Sequence, residues 1–275
     1  MNIAETTKAF QYFLISEEKS KATIDKYVRD VIQFLRFVQE KEIDKNLVLE
    51  YKAELICRYA PSSVNSMLAA INLYLEFIEK SDCKVKLVKI QRQLFAKEER
   101  ELTKEEYRRL LKAAKNTRIS AVIQTICGTG IRVSELSFIT VEAVKEGKAS
   151  VRCKNKTRII FIPKQVQKML KAYIKKAGIT AGPVFVTKKG NPLDRSNIWK
   201  EMKALCSKAD VSEKKVFPHN LRHLFARTFY SIEKDIVRLA DLLGHSSINT
   251  TRIYTIECGA QHLKSIEHVN ILLAT

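Results

Sequence analysis

Glycine and proline are scarce in this 275-residue chain, at 8 and 5 residues. Collagen-like and low-complexity readings therefore fail, and a hydrophobic fraction of 45% is too high for a disordered chain. No run of about 18 apolar residues occurs, and the start MNIAETTKAF lacks the basic-then-apolar layout of a signal peptide. Neither membrane spanning nor secretion is indicated, and a cytoplasmic protein is expected. The six cysteines, at 57, 83, 127, 153, 206 and 258, form no CxxC pair, which leaves zinc knuckles and redox motifs unsupported. Several have apolar neighbours, as in Ile126-Cys127, and read as small buried thiols kept reduced. No GxxxxGK[ST] string exists, so ATP hydrolysis through a P-loop is unsupported.

Acidic residues are also in short supply, 30 against 49 Lys plus Arg, for a formal net charge of +19. The imbalance is local. Residues 1–100 carry 17 basic and 15 acidic residues, leaving 32 and 15 for residues 101–275. A field of that size favours a polyanionic partner, nucleic acid being the commonest.

The length allows one large domain or two ordinary ones. In the first 80 residues, Ile24, Tyr27, Val28, Val31, Leu35 and Val38 recur at three- and four-residue spacing. Val64, Met67, Leu68, Ile71, Leu75 and Ile78 repeat the pattern after a Pro61-Ser62-Ser63 start signal. With candidates at Thr7–Ile15 and Leu47–Tyr59, this predicts a small helical bundle. The pattern lapses between 81 and 101, where Lys84, Lys86, Lys89 and Arg92 crowd together. That stretch reads as a basic linker, with a first domain over 1–95 and a second over 102–275.

The second domain opens on a capping box, Thr103 to Glu106, and continues with an apolar run over 119–127 that Gly128-Thr-Gly130 stops. A further helical segment is expected near Val133. Two alternating runs, Ala149-Val151-Cys153 and Ile160-Ile162, flank the basic residues 154–158 and predict a hairpin, with a third short strand at Val184–Thr187. Helices follow over Arg195–Ala209, over Pro218–Tyr230 with proline in the first turn, and over Lys234–Leu243 closed by Gly244. The expected fold is mainly α with one small sheet.

Four features carry chemistry: Gly130-Ile-Arg132-Val-Ser-Glu135-Leu, the basic turn at 154–158, Pro218-His219-Asn-Leu-Arg222-His223, and Leu243-Gly244-His245 with Tyr254 nine residues on. His219 and His223 share a helix face, but Arg222 stands beside them and no carboxylate joins them, which disfavours zinc. The concentration of Arg, Lys and His suits metal-free phosphate chemistry. A phosphodiester in transit gathers charge on its nonbridging oxygens, and planar guanidinium forks such as Arg132 and Arg222 match it. A leaving oxygen needs a proton, for which Lys154 on a turn is suited, and a histidine such as His219 accepts or holds a proton near neutrality. A tyrosine, with its ordinary pKa of about 10, becomes a nucleophile where cations stabilise its phenolate. Tyr254 in a basic pocket meets that condition.

The order Arg, Lys, His-x-x-Arg, His, Tyr, in the strings GTGIRVSEL, KNKTRIIFIP, HNLRHLFA and LLGHSSINTTRIYT, resembles the tyrosine recombinase (phage integrase) family, and its Xer type most. The resemblance spans nearly the whole chain. It implies an N-terminal helical core-binding, SAM-like bundle followed by an α-rich catalytic domain with a small antiparallel sheet, the DNA breaking-rejoining fold. It also implies that Arg132 and Arg222 clamp the scissile phosphate, that His219 and His245 assist by hydrogen bonding and proton transfer, and that Tyr254 is the nucleophile. The family's GKGNK turn is one residue shorter here, Cys153-Lys154-Asn155-Lys156, so Lys154 is the implied catalytic lysine with Lys156 as the other choice. Glu135 is expected to support the active-site arginine, and His223 to be structural.

No cofactor or metal is implied. The implied partner is double-stranded DNA at a specific site, gripped by both domains with salt-sensitive phosphate contacts. The implied assembly is a tetramer at synapsis, of this chain alone or with a sister recombinase, in a nucleoid-associated setting. The apolar tail over 259–275 either docks into a neighbour or packs on its own domain. An arm-type DNA-binding domain is not expected, because the helical pattern begins almost at Met1. The other readings are a noncatalytic DNA-binding relative, a type IB topoisomerase-like enzyme, and a basic structural or RNA-binding protein.

Overall fold

The computed structural model describes residues 3–39, 41–90, 101–153, 156–187 and 189–254, with backbone alone at Cys153 and Lys156. The chain divides into two compact units, Met1–Arg92 and Gln93–Thr275. Among the described residues, no helix is long and apolar enough to cross a membrane.

Among the described residues, the first unit holds four α-helices, α1 (Ile3–Ser16), α2 (Lys21–Val38), α3 (Lys45–Arg58) and α4 (Pro61–Phe77). Each start has a local cause. Ser20 accepts from the Thr23 amide, Asp44 accepts from the Leu47 amide, and Pro61 supplies a preset first-turn φ. The inward faces meet in one core that includes Phe10, Leu14, Val31, Phe34, Tyr51, Leu68 and Tyr74. Phe10 stands edge-on to Tyr74, with ring centroids 5.3 Å apart.

Residues 81–88, expected to begin a linker, instead pack on this bundle. A 3-10 turn at Ser81–Cys83 leads into an extended strap whose Cys83 and Val85 are buried. Two asparagines of α4 hold the strap as a neighbouring strand would. Asn72 donates to the Val85 carbonyl (2.9 Å) and accepts from its amide (3.0 Å), and Asn65 does the same at Val88 (2.9 and 2.7 Å). The spacings agree for a simple reason: seven helical residues advance about 10.5 Å, and three extended residues about 10 Å.

The second unit begins with α5 (Lys104–Ala113), where both hydrogen bonds of the Thr103–Glu106 capping box form. The apolar helix α6 (Arg118–Thr129) ends at left-handed Gly130, and a 3-10 turn, Val133–Phe138, leads into α7 (Val141–Glu146). Strands β1 (Lys148–Cys153) and β2 (Lys156–Phe161) pair antiparallel from Lys148↔Phe161 to Cys153↔Lys156. The hairpin connection is thus shorter than the five-residue basic turn expected, since Lys156, Thr157 and Arg158 belong to β2.

The third strand does not form among the described residues. Val184–Thr187 contributes only an isolated bridge, Val186↔Pro192, and the neighbouring Pro183 bridges to Thr140. Prolines on both bridges remove amide donors that a longer ladder needs. After α8 (Lys164–Ala177), the helix expected over Arg195–Ala209 breaks into α9 (Arg195–Lys203) and α10 (Cys206–Ala209). Helix α11 (Pro218–Glu233) ends at Lys234, in the left-handed region, and Asp235 caps α12 (Ile236–Leu243), so Lys234 closes one helix rather than opening the next. A short α13 (Ile248–Thr251) and a 3-10 turn, Arg252–Tyr254, complete the described chain. The main core gathers α6, the hairpin and the start of α11, while Ala226, Leu239, Leu243 and Tyr254 form a small separate cluster.

Candidate active site

Arg222 is the centre of the site. It lies on the first turns of α11 and is only 2% exposed, among the largest side chains buried in the molecule. Its guanidinium donates to the carbonyls of Gly130 (2.5 Å) and Leu243 (2.8 Å), the last turns of α6 and α12, and its second terminal nitrogen also meets His245 Nε2 at 3.0 Å. Burial, and then the charge of Arg132, lower its pKa to about 10, opposed by the facing Tyr254 oxygen. It remains a cation at neutral pH. Gly130 is confined by the same packing: its φ is +65°, and a Cβ there would run into the Phe225 ring.

Arg132 caps the 3-10 turn that follows Gly130. Its Nη1 donates to Glu135 (3.0 Å), its amide donates to the other Glu135 oxygen (2.9 Å), and its Nη2 approaches the Gly244 carbonyl at 3.4 Å. The Arg132 side chain keeps 40% of its surface, whereas Glu135 is 4% exposed. Burial by itself pushes the Glu135 carboxyl up. The hydrogen bonds from Arg158 and from Arg132 outweigh it and hold the group below the usual carboxylate range.

Arg158, on β2, is a site residue that the sequence pattern did not single out. It donates to Glu135 at 2.5 Å and to the Leu242 carbonyl at 2.8 Å, tying the hairpin to both the Arg132 turn and the end of α12. Its stem lies against Gly244, where any Cβ would collide with it and where φ is +62°. Arg158 and Glu135 are 23 positions apart, and no local period links them.

Three imidazoles and one phenol complete the arrangement. His219 reaches solvent at the start of α11, and its ring meets that of His223 edge-on at 4.5 Å. The His223 ring in turn stands edge-on to Tyr254 at 4.7 Å, and His245 lies parallel to Tyr254 at 6.0 Å. Desolvation, followed by the charges of Arg222, Arg132 and Arg195, lowers the His219 pKa. His223 falls to about 4 through burial, His219 and Arg222, and His245 to about 4 through burial and the cations led by Arg222. Tyr254 is 3% exposed, at the end of the turn that follows α13. Thr251, buried in α13, shares a hydrogen bond with His245 Nδ1 at 2.8 Å.

The fold thus brings Arg132, His219, Arg222, His245 and Tyr254 together, with Glu135 against Arg132 as expected. His223, expected to be structural, touches the Tyr254 ring. Lys154 and the tail over 259–275 lie outside the described residues, and of Lys156 only the backbone is described, paired with Cys153. Among the described residues, no three His, Cys, Asp or Glu side chains group as metal ligands. Two arginines and three imidazoles thus surround one phenol, a combination whose chemistry suits an oxyanion with a nucleophile beside it.

Comparison with known proteins gives a consistent picture. The phage integrase family model matches residues 100–258, and the phage integrase N-terminal SAM-like domain matches residues 7–81. The chain is 31% identical over 258 residues to tyrosine recombinase XerH of Campylobacter jejuni, covering 84% of this chain and 72% of that one. It is 29% identical over 282 residues to tyrosine recombinase XerA of Pyrococcus furiosus, covering 98% and 95%. In fold it is similar to the crystal structure of a lambda integrase tetramer bound to a Holliday junction, with a TM-score of 0.74, 15% identity, and coverage of 91% and 76%.

Proposed function

The chain belongs to the phage integrase family and is a tyrosine site-specific recombinase, and from that premise we propose that Tyr254 cuts and rejoins DNA through a 3′-phosphotyrosyl intermediate, without metal or ATP. The Tyr254 oxygen attacks the scissile phosphorus as the bond to the 5′ oxygen breaks, leaving a free 5′-hydroxyl. The 5′-hydroxyl of a partner strand then attacks the phosphotyrosine, forming a new phosphodiester and releasing the phenol. The two steps exchange one ester for another, so bond energy is conserved and no external energy source is needed. Arg132 and Arg222 hold the nonbridging oxygens, and His219 and His245 supply hydrogen bonds and proton transfer. Lys154, with Lys156 as the alternative, protonates the leaving 5′ oxygen.

The observation that carries this reading is the position of Arg222, a buried cation that faces Tyr254 and hydrogen bonds to His245. A guanidinium held by two main-chain carbonyls is pre-organised for an incoming phosphate. We further infer a tetramer on two duplexes of double-stranded DNA, of this chain or of this chain with a related recombinase. The lambda integrase tetramer on a Holliday junction, to which the chain is similar in fold, supports this reading. The tail over 259–275 either docks into a neighbour or packs on its own domain, and deletion of 260–275 separates the two: unchanged synapsis rules out docking.

A suicide-substrate assay tests the mechanism. With nicked DNA fragments and a chelator present, the wild-type protein is expected to give a covalent adduct joined through the 3′ phosphate, and Tyr254→Phe none. Tight binding without any adduct would instead indicate a noncatalytic DNA-binding relative. Relaxation of supercoils without exchange between sites would indicate a topoisomerase-like enzyme.

A further inference from the structure

The protonation state of His245 is set by its two ring contacts. A guanidinium is a donor at every nitrogen, so the 3.0 Å contact from Arg222 to His245 Nε2 requires a lone pair on Nε2. Burial and the surrounding cations keep the ring neutral at physiological pH. A neutral imidazole with a lone pair on Nε2 carries its proton on Nδ1, and that proton needs an acceptor. Thr251 Oγ1 lies 2.8 Å from Nδ1. Thr251 is fully buried, so water does not compete for the bond, whereas its neighbour Thr250 is exposed. Its β-branched side chain is stiff at χ1, which fixes the direction of the hydroxyl. Thr251 also stands three residues before Tyr254, one helical turn away.

We propose that Thr251 is a positioning residue for the reaction: its hydroxyl accepts the Nδ1 proton of His245 and so holds the Nε2 lone pair at the phosphate clamp. One short segment then carries both the nucleophile and the group that orients its neighbouring imidazole. A ring held in this tautomer can take the proton that the Tyr254 phenol gives up on attack, at Nε2, when phosphate occupies Arg222, and a ring free to flip presents the wrong nitrogen. The proposal rests on the recombinase reading only for its catalytic consequence, since the tautomer is a property of the DNA-free protein.

The test uses the full chain as wild type, Thr251→Val and Thr251→Ser, with two readouts. In long-range 15N–1H spectra of histidine-labelled protein at neutral pH, His245 is expected to be protonated at Nδ1 in wild type and Thr251→Ser. In Thr251→Val it is expected to become a mixture of tautomers. The single-turnover rate of adduct formation on nicked DNA is expected to fall roughly 10- to 100-fold in Thr251→Val, with DNA affinity unchanged, and to recover in Thr251→Ser. An Nε2-protonated or doubly protonated His245 in wild type overturns the proposal whether or not the valine variant folds. So does a folded Thr251→Val with the wild-type rate. Absence of adduct from wild type fails the recombinase reading, and the spectra still decide whether Thr251 sets the tautomer.

Discussion

Tyrosines are buried in both units, and their surroundings differ. Tyr51 and Tyr74 sit in the N-terminal bundle at 1% and 0% exposure, with hydroxyls that have no hydrogen-bond partner among the described residues. Burial raises both phenols, Tyr74 to about 12. Tyr254 is buried to a similar degree, at 3%, yet it stands among Arg222, His223 and His245. The first two are ring-shaped packing material with a desolvated polar tip. The third faces a buried cation, as the proposed nucleophile requires. Exposure alone does not separate them, and the sign of the neighbouring charge does: the second unit buries the cation Arg222 facing Tyr254, whereas the charged side chain buried in the bundle near Tyr51 is the anion Asp30.

The sharpest way to break that contrast is to remove one oxygen from each kind. Tyr254→Phe is expected to lower the rate of covalent adduct formation at least ~10⁴-fold with the fold intact. Tyr74→Phe is expected to leave adduct formation unchanged and to shift stability by no more than about 1 kcal/mol, in the stabilising direction, because an unpaired hydroxyl is lost. Equal activity of the two variants on nicked DNA would dissolve the distinction. A second pair opposes a packing residue to a charged one. Phe10→Ala is expected to destabilise the bundle by about 3–5 kcal/mol through the cavity it leaves. Arg222→Ala is expected to abolish the adduct and to cost about 1–3 kcal/mol for each of the Gly130 and Leu243 carbonyls it leaves unpaired. Denaturant unfolding followed separately in each unit by hydrogen exchange measures both.

A smaller effect is expected from Gly244→Ala. The new methyl faces the Arg158 stem in a left-handed backbone, at a cost of about 1–2 kcal/mol. Displacement of Arg158 from Glu135 and Leu242 should slow adduct formation more than it weakens DNA binding. The smallest effect concerns pH. All five histidines lie beyond residue 200, none in the bundle. His223 and His245 have pKa values depressed to about 4 in the folded state, so the unfolded chain takes up protons first as pH falls. The stability they contribute is present above the unfolded value of about 6.5 and is lost as pH falls toward 4. Allowing for solvent screening, the second unit should lose on the order of 1 kcal/mol over that window, while the bundle, lacking histidine, should not respond until its carboxylates titrate. Exchange protection measured across pH 4–7 in the full chain would show it.

What could be read from the chain was whatever depends on neighbours in sequence. The Thr103–Glu106 box, the prolines that start α4 and α11, and the left-handed Gly244 follow from local backbone chemistry. The convergence of Arg132, His219, Arg222, His245 and Tyr254 is legible through the resemblance of their motifs, taken in order, to those of the tyrosine recombinase family. The remainder depends on contacts between distant segments. Arg158 looked like one more charge in a basic turn, and its partner Glu135 lies on the far side of a helix and a strand. Thr251 was one of two adjacent threonines, and only burial tells them apart. Lys234 reads in sequence as the first residue of the helix that runs to Leu243, but its left-handed backbone closes the preceding helix instead.

The strap pinned by Asn65 and Asn72 has a consequence for association with other chains. An extended segment lying on a helix exposes a row of main-chain donors and acceptors, the usual template for adding a foreign strand. Here two side-chain amides already occupy the pairs at Val85 and Val88. Helix α4, with Lys45 and Lys52 of α3 donating to the Lys84 and Lys86 carbonyls, thus occupies much of an edge that sheet proteins must guard with charge, proline or a covering element, and the pairs at Val85 and Val88 are closed to a foreign strand.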